Sequence, residues 1–242
     1  MDIEQYILNL SEMTSKEELV GYFTEQSTAL GAGAVGGYPL IYGETREDSG
    51  WQPYVTTFPK KIRDFYREFA AMDDPFMEAA LVKGSPVQYS RVRDQMRWND
   101  VQIRFFNMLE EVGLRDGVGT PVCPKPGVVA YFVIAFPDVR PEMSWPELRK
   151  IYLYFNEFFI RYWKLSESDR VRVSMRERQI LVGIMKGKSK AEISETLGLS
   201  AHTIDTYTRR CFEKLKVKNR TEAAVKAFGL GLAYSDSRID EG

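Results

Sequence analysis

Apolar residues recur along most of this chain with the period of a helix, and in a few short runs they are continuous. Ser15-Lys-Glu-Glu18 has the spacing of a capping box and starts a helix expected to reach Leu30, the serine oxygen and the glutamate closing orphan amides reciprocally. Gly31, Gly33, Gly36 and Gly37 break that pattern, and AVGGYPLIYG reads as a strand leading into a turn. Pro59 at a first helical turn opens KKIRDFYREFAAM, and Asp74-Pro75 opens PFMEAALVKG. Asn99 to Val112 is amphipathic, with Val101, Phe105, Met108 and Leu109 on one side. GVGTPV and GVVAYFVIAF are bounded by Gly and Pro, the pattern of two strands paired as a hairpin across CPKPG. Trp145 to Trp163 is a long helix whose Tyr152, Phe155, Phe159 and Trp163 form an aromatic stripe that reads as core. Strands set between helical layers predict an α/β/α sandwich.

After Trp163 the pattern changes. WKLSESDRVRVS is polar and charged, the composition of an interdomain linker. Helix starts then follow at short intervals: Ser174-Met-Arg-Glu177, Ser189-Lys-Ala-Glu192 and Asn219-Arg-Thr-Glu222 fit the capping box, and Ser200 caps one helix alone. Gly187 and Gly198 stand where the first two helices should end. SKAEISETL, the turn GLS and AHTIDTYTRRCFEKL have the form of a helix-turn-helix, with Ala191 small where two helices are expected to cross and Ile193 and Leu197 facing the core. In the second of these helices Ile204, Tyr207, Thr208, Cys211 and Leu215 share one face. The opposite face holds His202, Asp205, Thr206, Arg209 and Arg210, side chains a major groove would meet. The expected fold class is α+β, divided into a sensor domain at 1–164, a linker at 165–174 and a four-helix DNA-binding domain at 175–242.

Charge sharpens this division. The whole chain carries a net −1, which by itself argues against nucleic acid. Between Arg170 and Tyr234, however, stand 14 Lys and Arg against 6 Asp and Glu, so the remainder of the chain is acidic. Arg209 has the reach to fork onto a guanine edge, whereas Arg210, Lys214, Lys188 and Lys190 suit phosphates, with Ser200 and Thr203 at the start of the same helix. Asp205 either pairs with Arg209 four residues on or reads a cytosine; His202 reads as a flanking contact and Cys211 as core.

Several classes of chemistry drop out. The single histidine and the two distant cysteines, Cys123 and Cys211, make no zinc cluster, no nucleophile–base pair and no disulfide framework, and no glycine-rich phosphate loop is present. No enzyme activity, cofactor or metal is expected. With no run of about 18 apolar residues and no secretory start in MDIEQYILNLSEM, the expectation is a cytoplasmic protein without a membrane partner.

The basic segment resembles the LuxR/GerE-type DNA-binding domain along essentially its whole length. Arg176-Glu177, Leu181, Gly187-Lys188-Ser189, Glu192-Ile193, Leu197, Ser200, Thr203-Ile204, Lys214-Leu215, Asn219-Arg220 and Ala223-Ala224 carry the resemblance, and Tyr207 stands where the family often has histidine. It implies that the last helix, Thr221 to Leu232, helps pair two domains on a two-fold-related site. The first part begins with a helix and shows no acidic pair at a strand end, unlike a phospho-receiver. Over residues 3 to 164 it resembles the autoinducer-binding domain of LuxR-type quorum-sensing receptors, through Phe58-Pro59, Tyr66, Asp74-Pro75, Pro86, Glu111-Val-Gly-Leu114, Gly117, Pro121 and the aromatic helix after Ser144.

That resemblance implies an acyl-homoserine lactone buried between sheet and helices. Asp74, next to Pro75, would accept the ligand amide N–H and Tyr66 would donate to a carbonyl. The family's lactone-binding tryptophan falls on Ile62, or on Lys61 without a one-residue gap, and a second pocket tryptophan becomes Tyr89. Isoleucine donates no hydrogen bond, so Trp98 or Tyr89 would have to substitute. Gly119, just after Gly117, removes bulk beside the expected acyl path. Against these roles stand simpler ones: Asp74 as a helix cap, Tyr66 as packed core and Trp98 as a packing aromatic. The resulting expectation is a homodimeric transcription regulator whose partners are a near-palindromic double-stranded DNA site, a small lipophilic signal (an acyl- or aryl-homoserine lactone) and, for an activator, RNA polymerase. The alternatives are a same-fold sensor of a non-lactone molecule and a regulator that binds DNA without a ligand.

Overall fold

The computed structural model describes residues 2–40, 53–68, 74–93, 97–125, 127–166 and 171–232. They form two compact units, one of most described residues up to 166 and one of residues 171–232, with which Lys125 and residues 127–129 also group.

The first unit runs α1 (Ile3–Glu12), α2 (Lys16–Ala29), β1 (Ala34–Pro39), β2 (Val55–Thr56), α3 (Lys60–Glu68), α4 (Pro75–Lys83), β3 (Val87–Gln88), α5 (Tyr89–Arg93), α6 (Asp100–Glu111), β4 (Asp116–Lys125), β5 (Val128–Phe136) and α7 (Trp145–Leu165). The strands form one sheet in the order β2-β1-β5-β4-β3, with β1 antiparallel to β5 and β3 antiparallel to β4. Successive side chains of a strand point to opposite faces. On β5, Tyr131, Val133 and Ala135 therefore join Ile62, Phe76 and Phe105 in one core, while Phe132 meets Phe23, Phe155, Phe158 and Phe159 on the other side. Helices cover both faces, which is why β5 is apolar at nearly every position rather than alternating. The architecture is the α/β/α sandwich expected, within an α+β chain.

The helix starts follow the chain's polar residues, with local differences. Ser15 caps α2 by accepting from the Glu18 amide at 3.1 Å, but Glu18 closes the amide of Thr14 rather than that of Ser15. Asn99 and Gln102 make a reciprocal box at α6. On α7, Phe155 and Phe159 are fully buried as expected, whereas Tyr152 and Trp163 are half-buried and Tyr154 and Phe158 complete the core face. A sandwich-covering helix buries a stripe about 100° wide, so adjacent pairs one turn apart replace a single row. The two-residue strands β2 and β3 and the five-residue α5 are too short to carry a readable period. The ends of AVGGYPLIYG and KKIRDFYREFAAM lie outside the described residues.

The second unit has α8 (Met175–Met185), α9 (Lys190–Leu197), α10 (Ala201–Leu215) and α11 (Arg220–Gly229). The Ser174/Glu177 and Ser189/Glu192 boxes are reciprocal. At α11 only half of the third is made: Asn219 accepts from the Glu222 amide, but Glu222 accepts from the Lys218 amide and the Asn219 side chain. Gly198 closes α9 with φ 63, a left-handed conformation that glycine adopts without strain and that permits the sharp turn into α10. Leu165 closes α7, and Val171 and Val173 pack on the second core, so both described ends of the expected linker belong to folded units.

The expected crossing at Ala191 is not found, because Ala191 is exposed. The close approach is instead at Gly183 of α8, where a Cβ would lie 2.8 Å from Ile193 Cγ1. Gly183→Val should therefore overpack this contact and destabilise the second unit by about 1–3 kcal/mol, read as a lower urea midpoint. An unchanged midpoint would contradict the crossing. Among the described residues no helix is long and apolar enough to cross a membrane.

Candidate functional site

In the first unit the polar centre of the core is Asp74, which is completely buried at the N-cap of α4. Its Oδ1 accepts from the Phe76 and Met77 amides at 2.9 and 3.2 Å, and its Oδ2 accepts from the Tyr66 hydroxyl at 2.5 Å. Burial pushes this carboxyl up to about 6 despite the three donors. Burial, followed by the nearby Asp74 charge, pushes the Tyr66 hydroxyl well above its usual range, so it stays a donor. The helix cap is thus made, and a carboxylate with three donors retains one acceptor direction.

The other positions singled out in this unit separate into those inside the core and those committed elsewhere. Ile62 is fully buried, whereas Lys61 is half-exposed and ion-pairs with Glu111, so Ile62 is the inward position of the two. Pro75 is buried at the first turn of α4, and Tyr89 stacks on Phe76 with ring centres 3.6 Å apart. Trp98 packs edge-on against Phe106, and its indole N–H donates to the Arg93 carbonyl at 3.0 Å. That donor is already used, so Trp98 does not stand free to replace the missing tryptophan. Gly117 admits the ring of Tyr89, 2.8 Å from where a Cβ would lie. At Gly119 a Cβ would collide with the Tyr131 hydroxyl, so the space this glycine leaves is filled by Tyr131 rather than open along an acyl path. Beside Tyr89 a small pocket of about 20 Å³ lies between Phe76, Phe106, Leu109 and Ala135 on its inner side and the exposed Arg93, Glu110 and Arg115 at the surface.

Sequence reasoning missed Tyr131, which sits in an apolar strand, and also Asp116. Buried Asp116 accepts from the Ser90, Gly117 and Arg140 amides and from the Gln88 side chain, fastening β3 and β4 to the chain after β5. No local pattern marks it, since its partners come from distant segments.

In the second unit, Ser200 caps α10 through the Thr203 amide at 3.1 Å and Thr203 Oγ1 lies 2.8 Å from the serine oxygen. Ile204, Cys211 and Leu215 are buried, which turns His202, Asp205, Arg209 and Arg210 to the surface. Thr206 lies between these faces, donating back to the His202 carbonyl. Burial, then the Glu177 charge, pushes the Cys211 thiol up to about 12, consistent with a core residue. Arg210 lies over the Tyr207 ring at 5.6 Å. Lys188 donates to Thr196 at 3.0 Å.

Two expectations about charge change here. Asp205 pairs with Lys190 of α9 at 2.8 Å, not with Arg209, whose nearest carboxylate is Glu213 at 3.9 Å. Crossing helices bring Lys190 closer than the fourth residue along the same helix. Lys214, expected at a phosphate, is tied within its own unit: it donates to Glu177 at 2.7 Å and to the Arg172 carbonyl at 3.2 Å. Glu177 is 3% exposed, and an unpaired carboxylate there would be costly. Burial raises its pKa, but the Lys214 bond and the Ser174 amide outweigh that and hold it below the usual range.

An α/β/α unit with a buried carboxylate among tyrosines, joined to a helix-turn-helix unit with a cationic face, has the build of a transcription regulator. Residues 15–160 match the autoinducer binding domain, and residues 172–227 match the bacterial regulatory proteins of the luxR family. The chain belongs to the autoinducer-binding LuxR-type regulators, a family of transcription regulators rather than enzymes. It is 24% identical over 162 residues to the putative HTH-type transcriptional regulator y4qH of Sinorhizobium fredii, covering 65% of this chain and 49% of that protein. It thus spans about half the length of that relative. Escherichia coli SdiA has a similar crystal structure, with a TM-score of 0.70, 20% identity and coverage of 96% of this chain and 98% of that one. SdiA in complex with octanoyl-rac-glycerol gives a TM-score of 0.67 at 21% identity, covering 97% and 96%. At these identities the likeness shows the fold.

Proposed function

We propose that this protein is a ligand-responsive, DNA-binding transcription regulator acting as a cytoplasmic homodimer. The observation that carries this reading is Asp74: a carboxyl sealed in an aromatic core, tied by one exchangeable side-chain bond to Tyr66. A small lipophilic signal, an acyl- or aryl-homoserine lactone, places its amide N–H on Asp74 Oδ2 and its carbonyl on the freed Tyr66 hydroxyl. Every buried group then keeps a partner, which favours a ligand carrying both functions. Because the signal binds only the folded form, it stabilises the dimer by mass action. Pairing two subunits sets two α10 helices one DNA turn apart on a near-palindromic site. Arg209 reads a base edge, and Arg210, Lys188 and Lys190 hold phosphates with His202, Ser200, Thr203 and Thr206 beside them. Asp205 acts by orienting Lys190. An activator would also meet RNA polymerase.

The test is to produce the protein with candidate signals, identify extracted ligand by mass spectrometry and measure melting temperature. If no homoserine lactone is retained or raises the melting temperature, the lactone reading is lost. A non-lactone acyl ligand is the second reading, favoured by Ile62, which is buried and offers no donor. SdiA, of similar fold, is seen with an octanoyl glycerol. On the DNA side, Arg210→Ala is expected to weaken binding to all sequences and lower the salt slope by about 1, while Arg209→Ala costs about 1–3 kcal/mol at one base position. Fluorescence anisotropy across a salt series checks both, and an unchanged slope for Arg210→Ala would remove it from the phosphate contacts.

A further inference from the structure

Two hydroxyls in the sensor core are poorly served by their surroundings. Tyr89 and Tyr131 are 5% and 0% exposed, and their oxygens lie 3.5 Å apart. Hydroxyl pairs ordinarily sit at about 2.5–3.0 Å, so one stretched contact serves two donors. Among the described residues neither hydroxyl has a nearer partner. Tyr154 in the same unit shows the usual arrangement, donating to the Phe23 carbonyl at 2.6 Å. Native cores seldom leave buried hydroxyls short of partners unless the group has a use.

The backbone around the pair is shaped to hold it. Gly117 and Gly119 stand two apart on β4, so they open the same face of the strand. The first admits the Tyr89 ring and the second admits the Tyr131 hydroxyl, where a Cβ could not fit. Burial and the negative charge of Asp74 both act to keep these phenols protonated, so they remain donors at neutral pH. Asp74 and Tyr66 are already matched to each other, whereas this second pair has donors to spare.

We propose that the Tyr89–Tyr131 hydroxyl pair, seated against Gly117 and Gly119, is a recognition site for a carbonyl oxygen of an acyl signal. The inference rests on the reading of this unit as a small-acyl-ligand sensor. A carbonyl oxygen has two lone pairs, so both hydroxyls donate to it at once and exchange one stretched contact for two good bonds. A lactone and an acyl ester share this chemistry.

The test measures binding of N-octanoyl-homoserine lactone and of 1-octanoyl-glycerol to the full chain and to Tyr89→Phe, Tyr131→Phe and the double variant. The parent is expected to bind at least one probe, and each single variant to bind it about tenfold more weakly. The double variant should lose less than the product of the two, because the hydroxyls share one acceptor. The unliganded melting temperature of the double variant should not fall, since it removes both under-satisfied hydroxyls together. Preference for the lactone or for the glyceride identifies the source of the carbonyl. Affinities kept within twofold in both single variants would overturn the proposal alone, as would a double variant whose unliganded melting temperature is lowered by several degrees. Failure of the parent to bind either probe would overturn the acyl-sensor reading and the proposal with it.

Discussion

Asp74→Asn should leave the sensor unit more stable at pH 7.5, by about 1–3 kcal/mol, while abolishing its response to ligand. The parent carboxyl is completely buried and its pKa is raised to about 6, compared with an ordinary value of 3.8. Because the folded-state value is the higher one, the neutral form favours the fold. Stability from this group is fully present below about pH 4 and is lost as pH rises through about 6, a difference of roughly 3 kcal/mol. Asparagine keeps the cap toward Phe76 and Met77 but never ionises. It also turns one acceptor facing Tyr66 into a donor, which returns about 1 kcal/mol of the gain. Urea unfolding from pH 4.5 to 8 should show a falling curve for the parent and a flatter one for the variant, crossing near pH 5–6. A variant less stable than the parent at pH 7.5 would mean that Asp74 is only a cap, and its charge would then need another explanation. A group that costs stability at working pH is what a binding site retains and a scaffold discards.

Lys214→Met should lower the stability of the second unit by about 2–3 kcal/mol at pH 7 without changing the salt slope of DNA binding. Removing the cation strands Glu177, whose side chain is 4% exposed, while Lys214 itself is 42% exposed. That exposure lets water screen part of the loss, so the figure is set below the about 3–5 kcal/mol of a fully buried pair. The pH sign is opposite to that of Asp74. The pKa of Glu177 is lowered in the fold, so its contribution is present above the unfolded value and is lost as pH falls through the folded one. The salt series separates the two roles: a phosphate contact removed would reduce the slope by about 1, and an internal tie would leave it unchanged. A reduced slope with unchanged stability would restore Lys214 to the DNA face.

Much of this could be read along the chain, because the signals are local. Capping residues satisfy amides two or three positions away, so Asp74, Asn99, Ser174, Ser189 and Ser200 announce their helices whatever surrounds them. Helical spacing likewise divides Ile204, Cys211 and Leu215 from Arg209 and Arg210 before any fold is known. The contacts that spacing does not show have the opposite property. Asp205 with Lys190, Lys214 with Glu177 and Gly183 with Ile193 are all made across helices. Spacing along one helix pairs Asp205 with Arg209, and the crossing of α9 with α10 overrides it by bringing Lys190 closer.

Short-range hydrogen bonding and period are enough to fix the helix-turn-helix, the amphipathic α10 and the cap at Asp74. What the core of the first unit presents depends on packing between distant segments. Gly119 reads as added room in a strand taken alone, and it becomes the seat of a hydroxyl because β5 brings Tyr131 against it from the neighbouring strand. A void or a donor at that point depends on which side chain arrives from elsewhere in the chain, and sequence spacing holds no record of that distance.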